Sequence, residues 1–240
     1  MAINRNSRQV VFDIETSSLP FDTLTESQQE YLLREANKEK DETLREEKRT
    51  EAIKWLSLYP FTAEVVVIGM FDIQHQTGYG YYRNEGVLEK EDLGSEEFGH
   101  QMYLQGMPEK EMLEKFWEVV QRTDQIISFN GRGFDLPFLM LRSAKLGVRP
   151  SKNFMGNRFS KDGHIDLLEQ LSFYGAYKRF NLDFYCHGFG IESPKSKGIS
   201  GYDVPVLYQE GRVRDIAVYC LGDITATYRL FETWNEYLNI

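Results

Sequence analysis

Short apolar runs separated by polar segments mark the first third of the chain, a pattern that predicts β-strands. Residues 9–15, 64–73 and 79–82 are rich in Val, Ile, Phe and Tyr, the residue types that strands favour. A short turn at about 75–78 separates the last two runs, and this spacing favours antiparallel pairing between them. We therefore predict that the first three strands form an antiparallel meander.

The most highly charged stretch of the chain, at about 25–57, has a different pattern. Charges of both signs alternate there with apolar residues at helical spacing, which is typical of helices with one face in solvent. We therefore predict one or two exposed helices, inserted after the first strand.

Apolar residues repeat at longer intervals in the rest of the chain, which predicts helices around one further strand. Pro108 suits the first turn of a helix, and glycine and proline mark the ends of other segments. In chain order we predict a helix from Pro108, a strand at 125–129, a turn at 130–133, a helix at about 134–146, two shorter helices near 165–173 and 182–188, a loop at 192–205 and a last helix from 213 to about 238.

Composition indicates a globular protein, because 41% of the 240 residues are hydrophobic and 27% are charged. We find no repeat or linker and predict a single domain over residues 1–240, with the charged helical insertion at about 25–57. No apolar run has the length of a membrane helix and no signal-peptide pattern is present, so we expect a cytoplasmic protein. The two cysteines, Cys186 and Cys220, lack a CxxC spacing and are predicted to be reduced core thiols.

The net charge of −9 disfavours a protein that coats nucleic acid electrostatically. The charge is unevenly distributed, however. Residues 141–200 contain ten basic and five acidic residues, a balance of 10 − 5 = +5. A polyanionic partner would prefer this segment, although solvated surface alone also explains it.

Carboxylates with a distinctive spacing lie on the first predicted strand and recur on two predicted helices. Asp13 and Glu15 are two residues apart on the predicted strand, so both project from one face while Phe12 and Ile14 project from the other. Two acids on one face of a central strand repel each other unless they are solvated or bridged by a cation. Such a pair is a weak signal by itself, since many strand edges carry one.

Two further motifs are equally weak when taken singly. Asp135 follows a strand and a glycine-containing turn, where an acid at a helix N-terminus is common. Tyr219 and Asp223 are four residues apart on the last predicted helix, which places a phenol and a carboxylate on one face.

The three motifs together, in this order, resemble those of the DEDD superfamily of 3′–5′ exonucleases. The likeness is greatest to the proofreading exonuclease domains of family B DNA polymerases and their stand-alone bacterial relatives, and it covers nearly the whole chain. Tyrosine-class members have Tyr four residues before the last Asp, whereas histidine-class members have His five residues before it. Here those positions hold Tyr219 and Val218, so the sequence resembles the tyrosine class.

This resemblance implies an α/β fold of the ribonuclease H-like type, a mixed sheet with helices on both faces and with strand 125–129 parallel to the first strand. It also implies two Mg²⁺ or Mn²⁺ ions, which suit hard oxygen ligands. Asp13 is expected to bridge the ions, Glu15 and Asp223 to complete one site, and Asp135 to hold the second ion. Tyr219 is expected to orient the attacking water, so the five residues form the predicted catalytic set.

The resemblance also implies contacts with the 3′ end of the substrate. The backbone of Thr16 and the carboxylate of Glu15 are expected to contact the terminal hydroxyl. The other expected substrate contacts lie in three different segments: Leu19, Asn130, Phe134, Lys195 and Lys197. Phe134 fits a core position equally well, and the two lysines fit a solvated loop. Asp166 is interpreted as a helix-start or supporting residue and not as a metal ligand.

We therefore predict a metal-dependent 3′–5′ exonuclease that shortens single-stranded DNA and releases nucleoside monophosphates by a two-metal mechanism. An RNA 3′–5′ exonuclease of the ribonuclease D kind stays open, because the choice depends on how the site treats a 2′-hydroxyl. A catalytically silent module that binds nucleic-acid ends is the alternative from another class. The expected partners are the 3′ ends of single-stranded DNA or RNA, and we expect no interaction with a membrane. We find no polymerase pattern, so a role in proofreading or DNA repair would require association in trans with a polymerase or repair protein.

Overall fold

A mixed β-sheet forms the centre of the computed structural model, which describes residues 7–193 and 198–240. Within these residues the sheet has seven strands in the order β4-β5-β3-β2-β1-β6-β7. The strands are β1 Gln9–Ser18, β2 Ala63–Asp72, β3 Thr77–Arg83, β4 Glu91–Gly94, β5 Gln101–Met107, β6 Gln125–Ser128 and β7 His164–Asp166.

Strand directions agree with the predicted meander. β2 is antiparallel to both β1 and β3, whereas β6 is parallel to β1 on its other side. The outer strands extend the sheet, because β5 is parallel to β3, β4 is antiparallel to β5, and β7 is parallel to β6. β1 therefore lies between an antiparallel and a parallel neighbour, near the centre of the sheet.

Eight α-helices surround the sheet in the described part of the chain. They are α1 Glu26–Asn37, α2 Glu42–Lys54, α3 Glu109–Gln121, α4 Asp135–Lys145, α5 Leu167–Leu171, α6 Leu182–Phe189, α7 Val204–Gln209 and α8 Val213–Tyr237. None of these described helices combines the length and hydropathy that crossing a membrane requires.

The two faces of the sheet carry separate hydrophobic cores. Val11 of β1 packs with Phe71, Ile224 and Phe231 in the core beneath α8. Phe12, the next residue of β1, packs instead with residues of α3 and α4 on the opposite face. Since helices cover both faces, the predicted α/β architecture is confirmed.

The charged segment forms the two exposed helices that its pattern predicts. Thr25 and Gln28 make a capping box at the start of α1, and Asp41 caps α2. α1 buries only Leu33 and Ala36, and α2 buries no residue. These helices therefore follow local capping and charge signals, with little burial against the rest of the protein.

Within the described residues, the sequence pattern does not predict three of the strands and one of the helices. β4 and β5 were missed, and β7 occupies the start of the segment predicted as a helix near 165–173. Residues His164–Asp166 pair with β6, so helix α5 begins only at Leu167. α7 begins inside the segment predicted as the loop 192–205, because Val204 is buried in the core beneath α8.

Candidate active site

Asp13 and Glu15 lie on the central strand as the alternation of β1 predicts. Phe12 and Ile14 belong to the core on the α3 and α4 side, so the two acids project to the opposite face, toward α8. The register with β2 shifts between Glu15 and Thr16. Such bulges redirect a strand locally and are common beside active sites.

Asp135 reaches the same region from the first turn of α4. Its carboxylate Oδ1 accepts the backbone N–H of Ile14 at 3.1 Å, and the side chain is buried. Ile14, which donates this hydrogen bond, lies between Asp13 and Glu15 on β1. The start of α4 is therefore fixed directly to the strand that carries the first two acids.

α8 brings a tyrosine and a fourth carboxylate to the same place. The hydroxyl of Tyr219 donates to the carboxylate of Asp223, one helical turn later. Cys220, between them, directs its thiol at Asp13, with the Sγ 3.6 Å from Oδ2. The structure therefore brings together all five residues of the predicted catalytic set.

The gathered carboxylates perturb one another strongly. Burial is the largest influence on Asp13, and repulsion from Asp135, Glu15 and Asp223 raises the pKa of this carboxyl further. Burial and the charges of Asp223 and Asp135 likewise raise the pKa of Glu15. Burial raises the pKa of Asp135 to about 7, although two backbone N–H groups act in the opposite direction. A bound cation would relieve this repulsion.

Cys220 was predicted only as a core thiol, yet it lies beside the acids. Both cysteines are buried and free, which confirms the prediction of reduced thiols. The sulfur lies within 4.8 Å of carboxylate oxygens from both Asp13 and Glu15. Burial and the surrounding carboxylates raise the pKa of Cys220 well above its usual value, so this group stays a neutral thiol. The charged donors are then all oxygen atoms, which fits a hard divalent cation.

Gly69 allows α8 to approach the sheet directly beneath the acids. This glycine pairs with Asp13 across β1 and β2. A Cβ atom at Gly69 would overlap the side chain of Ile224 and lie 2.9 Å from the Sγ of Cys220. Both contacts are with α8, which holds Tyr219 and Asp223. The absence of a side chain at Gly69 thus sets how closely the two halves of the site meet.

We predict that Gly69→Val displaces α8 from the sheet. Overpacking of this kind costs about 1–3 kcal/mol of stability, and misplacing reacting groups by an ångström costs about 10²-fold in rate. Chemical denaturation measures the loss of stability, and steady-state assays of the predicted exonuclease activity measure the loss of rate. Gly86→Val is the matched control, since no atom lies within 4 Å of a Cβ at that position. Equal activity in the two variants would contradict this role for Gly69.

Asp166 supports the turn that leads into α4. Its carboxylate accepts the backbone N–H groups of Asn130 (3.0 Å) and Arg132 (2.9 Å) and also caps the start of α5. Asn130 has a φ of 65°, in a region that non-glycine residues seldom occupy. The interpretation of Asp166 as a helix-start residue is confirmed, and the same side chain positions the turn before Asp135.

The remaining predicted contacts occupy mixed environments. The Thr16 hydroxyl donates to the carbonyl of Ser57 at 2.6 Å, and the Leu19 N–H donates to the carbonyl of Thr62. Phe134 is half-buried against Phe138, with 5.6 Å between ring centroids. It also borders a cleft beside Glu15, so the core and substrate-side interpretations of this ring both have support. Lys195 and Lys197 lie outside the described residues.

Fold and site together define a class of protein. The mixed sheet with helices on both faces has the ribonuclease H-like α/β fold. Its strand β1 carries two carboxylates, and Asp135 and the Tyr219–Asp223 pair lie beside them. Residues 86–237, more than half of the chain, match the sequence profile of a predicted 3′–5′ exonuclease related to the exonuclease domain of PolB. The chain belongs to this family. The matched span includes Asp135, Tyr219 and Asp223 and begins after Asp13 and Glu15.

DNA polymerases are among the relatives. The DNA polymerase of Thermococcus litoralis is 31% identical over 144 residues, which are 51% of this chain and 8% of that protein. DNA polymerase 1 of Sulfurisphaera ohwakuensis is 29% identical over 112 residues, which are 40% of this chain and 13% of that protein. The similarity thus spans only a small part of each polymerase.

A solved structure has a similar fold. The family B DNA polymerase from the hyperthermophilic archaeon Pyrobaculum calidifontis matches 95% of this chain and 24% of its own, with a TM-score of 0.59 and 18% sequence identity. This likeness confirms the ribonuclease H-like fold class that the motif resemblance predicts.

Proposed function

We propose that the chain is a metal-dependent 3′–5′ exonuclease that hydrolyses phosphodiester bonds at the 3′ end of single-stranded DNA and releases nucleoside monophosphates. We further propose that residues 1–240 form one exonuclease domain that carries the insertion at about 25–57. The observation that carries the proposal is the convergence of Asp13 with Glu15, Asp135 and Asp223 from three separate elements, at a cost in mutual repulsion. A protein with no use for a cation would gain nothing from this arrangement.

The donor set fits two Mg²⁺ or Mn²⁺ ions. Asp13, Glu15 and Asp223 would hold one ion, and Asp13 with Asp135 would hold the other. Bound there, the ions would polarise the scissile phosphate and activate a water molecule. The raised pKa of the carboxyls means that protons must leave as a cation enters, so cation affinity falls at lower pH.

Tyr219 orients the attacking water and does not deprotonate it. Burial and the neighbouring carboxylates raise the pKa of this phenol above its usual value near 10, so it is protonated at neutral pH. A protonated phenol cannot act as a general base. Its O–H is donated to Asp223, which leaves the oxygen lone pairs to accept a hydrogen bond from the water.

We predict that Tyr219→Phe lowers kcat by about 10- to 100-fold, because a hydrogen bond to a charged group is worth about 1.5–3 kcal/mol. KM for the oligonucleotide should change much less, since the phenyl ring is retained. Tyr237→Phe is the matched control on the same helix, where the side chain is exposed. Steady-state kinetics with both variants measures the effect, and equal kcat values would contradict the role of the hydroxyl.

Single-stranded DNA is the proposed substrate because the relatives are DNA polymerases. The test uses 5′-labelled DNA and RNA strands of equal sequence with Mg²⁺. A ladder that shortens from the 3′ end of DNA, with mononucleotide products, is the expected result. Faster shortening of RNA would favour a ribonuclease D-like activity instead. Binding of strand ends without cleavage in Mg²⁺ or Mn²⁺ would indicate a silent binding module and overturn the proposal.

A further inference from the structure

A cleft of about 370 Å³ opens beside Glu15, between β1 and the end of the charged insertion. Its volume lies in the range of about 300–1,000 Å³ that small-molecule sites occupy. Three walls contribute to it. One is formed by β1 together with Phe134, one by the end of the insertion, including Lys54 and Trp55, and one by the loop before α7, including Ser200 and Tyr202.

The insertion wall is fixed directly to the strand that carries the acids. The Thr16 hydroxyl donates a hydrogen bond of 2.6 Å to the carbonyl of Ser57. Thr16 directly follows Glu15 on β1. Leu56 is fully buried, and its carbonyl accepts the Thr62 hydroxyl at 2.7 Å. The single turn that follows α2 is therefore held in place, unlike α2 itself, which buries no residue.

Large rings stay partly exposed inside this concave site. The side chain of Trp55 is 37% exposed and that of Tyr202 is 69% exposed. The indole Nε1 of Trp55 donates to Glu51 of the preceding helix α2 at 3.5 Å, which restricts the ring. Exposed aromatic faces beside a carboxylate cluster offer stacking surfaces that do not discriminate between bases.

A lysine side chain lies beside these aromatic rings. The ammonium of Lys54 lies 5.0 Å from the ring centroid of Tyr202, which joins the insertion wall to the loop wall. The loop is ordered by Asp203, whose Oδ2 accepts the backbone N–H of Ser200 at 2.8 Å and its hydroxyl at 2.7 Å. Aromatic faces with a nearby lysine form the combination that binds a base together with its phosphate.

We propose that the charged insertion completes the substrate site: Trp55 and Tyr202 receive the base of the 3′-terminal nucleotide, and Lys54 contacts its phosphate. This inference rests on the proposed exonuclease function and names residues of the insertion as substrate-positioning groups. The insertion thereby places the terminal nucleotide next to Glu15.

Intrinsic fluorescence tests the contact, because the other two tryptophans, Trp117 and Trp234, are each only 3% exposed. The full chain is titrated with an unlabelled oligothymidylate, with Ca²⁺ in place of Mg²⁺ to slow cleavage. Stacking on Trp55 should quench its emission. A strand whose 3′-terminal nucleotide is abasic should quench much less, whereas an abasic nucleotide ten positions upstream should have little effect.

Variants measure the contribution to binding by anisotropy of a 5′-labelled strand. Trp55→Ala should weaken binding about 5- to 150-fold, since base–aromatic stacking is worth about 1–3 kcal/mol. Trp55→Phe should restore most of the affinity, and Tyr202→Ala should weaken binding independently. Tyr31→Ala is the matched control, because Tyr31 is an exposed ring of the same insertion that does not line this cleft.

The outcomes separate this inference from the function on which it rests. Unchanged affinity in Trp55→Ala and Tyr202→Ala, with normal cleavage by the wild-type chain, would overturn the role of the insertion and leave the exonuclease intact. Equal quenching by the intact strand and by the strand with an abasic 3′-terminal nucleotide would also overturn it. Quenching that depends on the terminal base, without any cleavage in Mg²⁺, would support binding of the 3′-terminal nucleotide in the cleft and contradict the exonuclease proposal.

Discussion

Asp13→Asn should reduce the rate of hydrolysis by on the order of 10³-fold or more, because bound cations supply several kcal/mol of transition-state stabilisation. Burial raises the pKa of Asp13 most, and the charges of Asp135, Glu15 and Asp223 all raise it further, so Asp13 interacts with each of the other three carboxylates. Asn keeps the size of the side chain and removes its charge. Single-turnover cleavage of 5′-labelled DNA in saturating Mg²⁺ measures the loss.

Asp22→Asn is the matched control, since Asp22 is an exposed acid shortly after β1. It should retain the wild-type rate. Activity of Asp13→Asn within a few-fold of this control would contradict the assignment of Asp13 as a metal ligand.

The same variant should change how stability depends on pH when no divalent cation is present. A carboxyl with a raised pKa holds a proton in the folded chain that the unfolded chain releases above a pH of about 4. Stability therefore falls as the pH rises from there through the folded pKa, which is about 7 for Asp135 and is also raised for Asp13. Between pH 5 and pH 8 in EDTA, the Tm of the wild type should fall further than that of Asp13→Asn. An equal fall would contradict a raised pKa of Asp13 in the folded chain.

Arg142→Ala should destabilise the fold by about 3–5 kcal/mol, the usual cost of leaving a buried charge without its partner. The guanidinium of Arg142 binds both carboxylate oxygens of Glu109, at 2.6 and 2.8 Å, and both side chains are buried. Glu109 also accepts the backbone N–H of Val65, so this pair joins α3 and α4 to β2. Denaturant unfolding measures the loss.

An exposed ion pair provides the matched comparison. Arg122 lies 3.8 Å from Glu118, and both side chains are largely exposed, so Arg122→Ala should cost about 1 kcal/mol or less. The double variant Glu109→Leu with Arg142→Met should recover part of the stability, because no unpaired charge remains. Similar losses for Arg142→Ala and Arg122→Ala would contradict the structural role of the buried pair.

Local patterns predicted the parts of the fold that depend on local interactions. The alternation of β1 places Asp13 and Glu15 on one face and Phe12 on the other, and the structure agrees. The capping residues of the insertion, such as Thr25, likewise act within a few residues of their own helix. Such signals can be read from a single sequence because the interacting groups are neighbours in it.

The missed elements depend on distant partners. β5 has few β-branched residues and becomes a strand by pairing with β3, and β7 is only three residues long and needs β6. α7 forms where Val204 is buried beneath α8. Tertiary pairing decides the structure of such short segments, so local propensity alone does not reveal them.

The residues of the candidate site also fall into two groups: those that local patterns predict and those whose place depends on distant contacts. The five predicted residues were recognisable because each follows a strand or helix pattern and the set has a familiar order. The sequence pattern predicts only a core thiol at Cys220, since nothing in it shows that this face of α8 lies against Asp13. Trp55 was likewise hidden, because the bond between Thr16 and Ser57 that holds its turn beside β1 joins residues 41 positions apart.

Release of mononucleotides from 3′-labelled single-stranded DNA, followed as Mg²⁺ is titrated into the wild-type chain, tests the carboxylate centre most directly. The proposed site predicts no release in EDTA, a saturable rise with Mg²⁺, and nucleoside monophosphates as the labelled product. Release that continues in EDTA, or no release at any concentration of Mg²⁺ or Mn²⁺, would contradict a metal-dependent exonuclease built on Asp13, Glu15, Asp135 and Asp223.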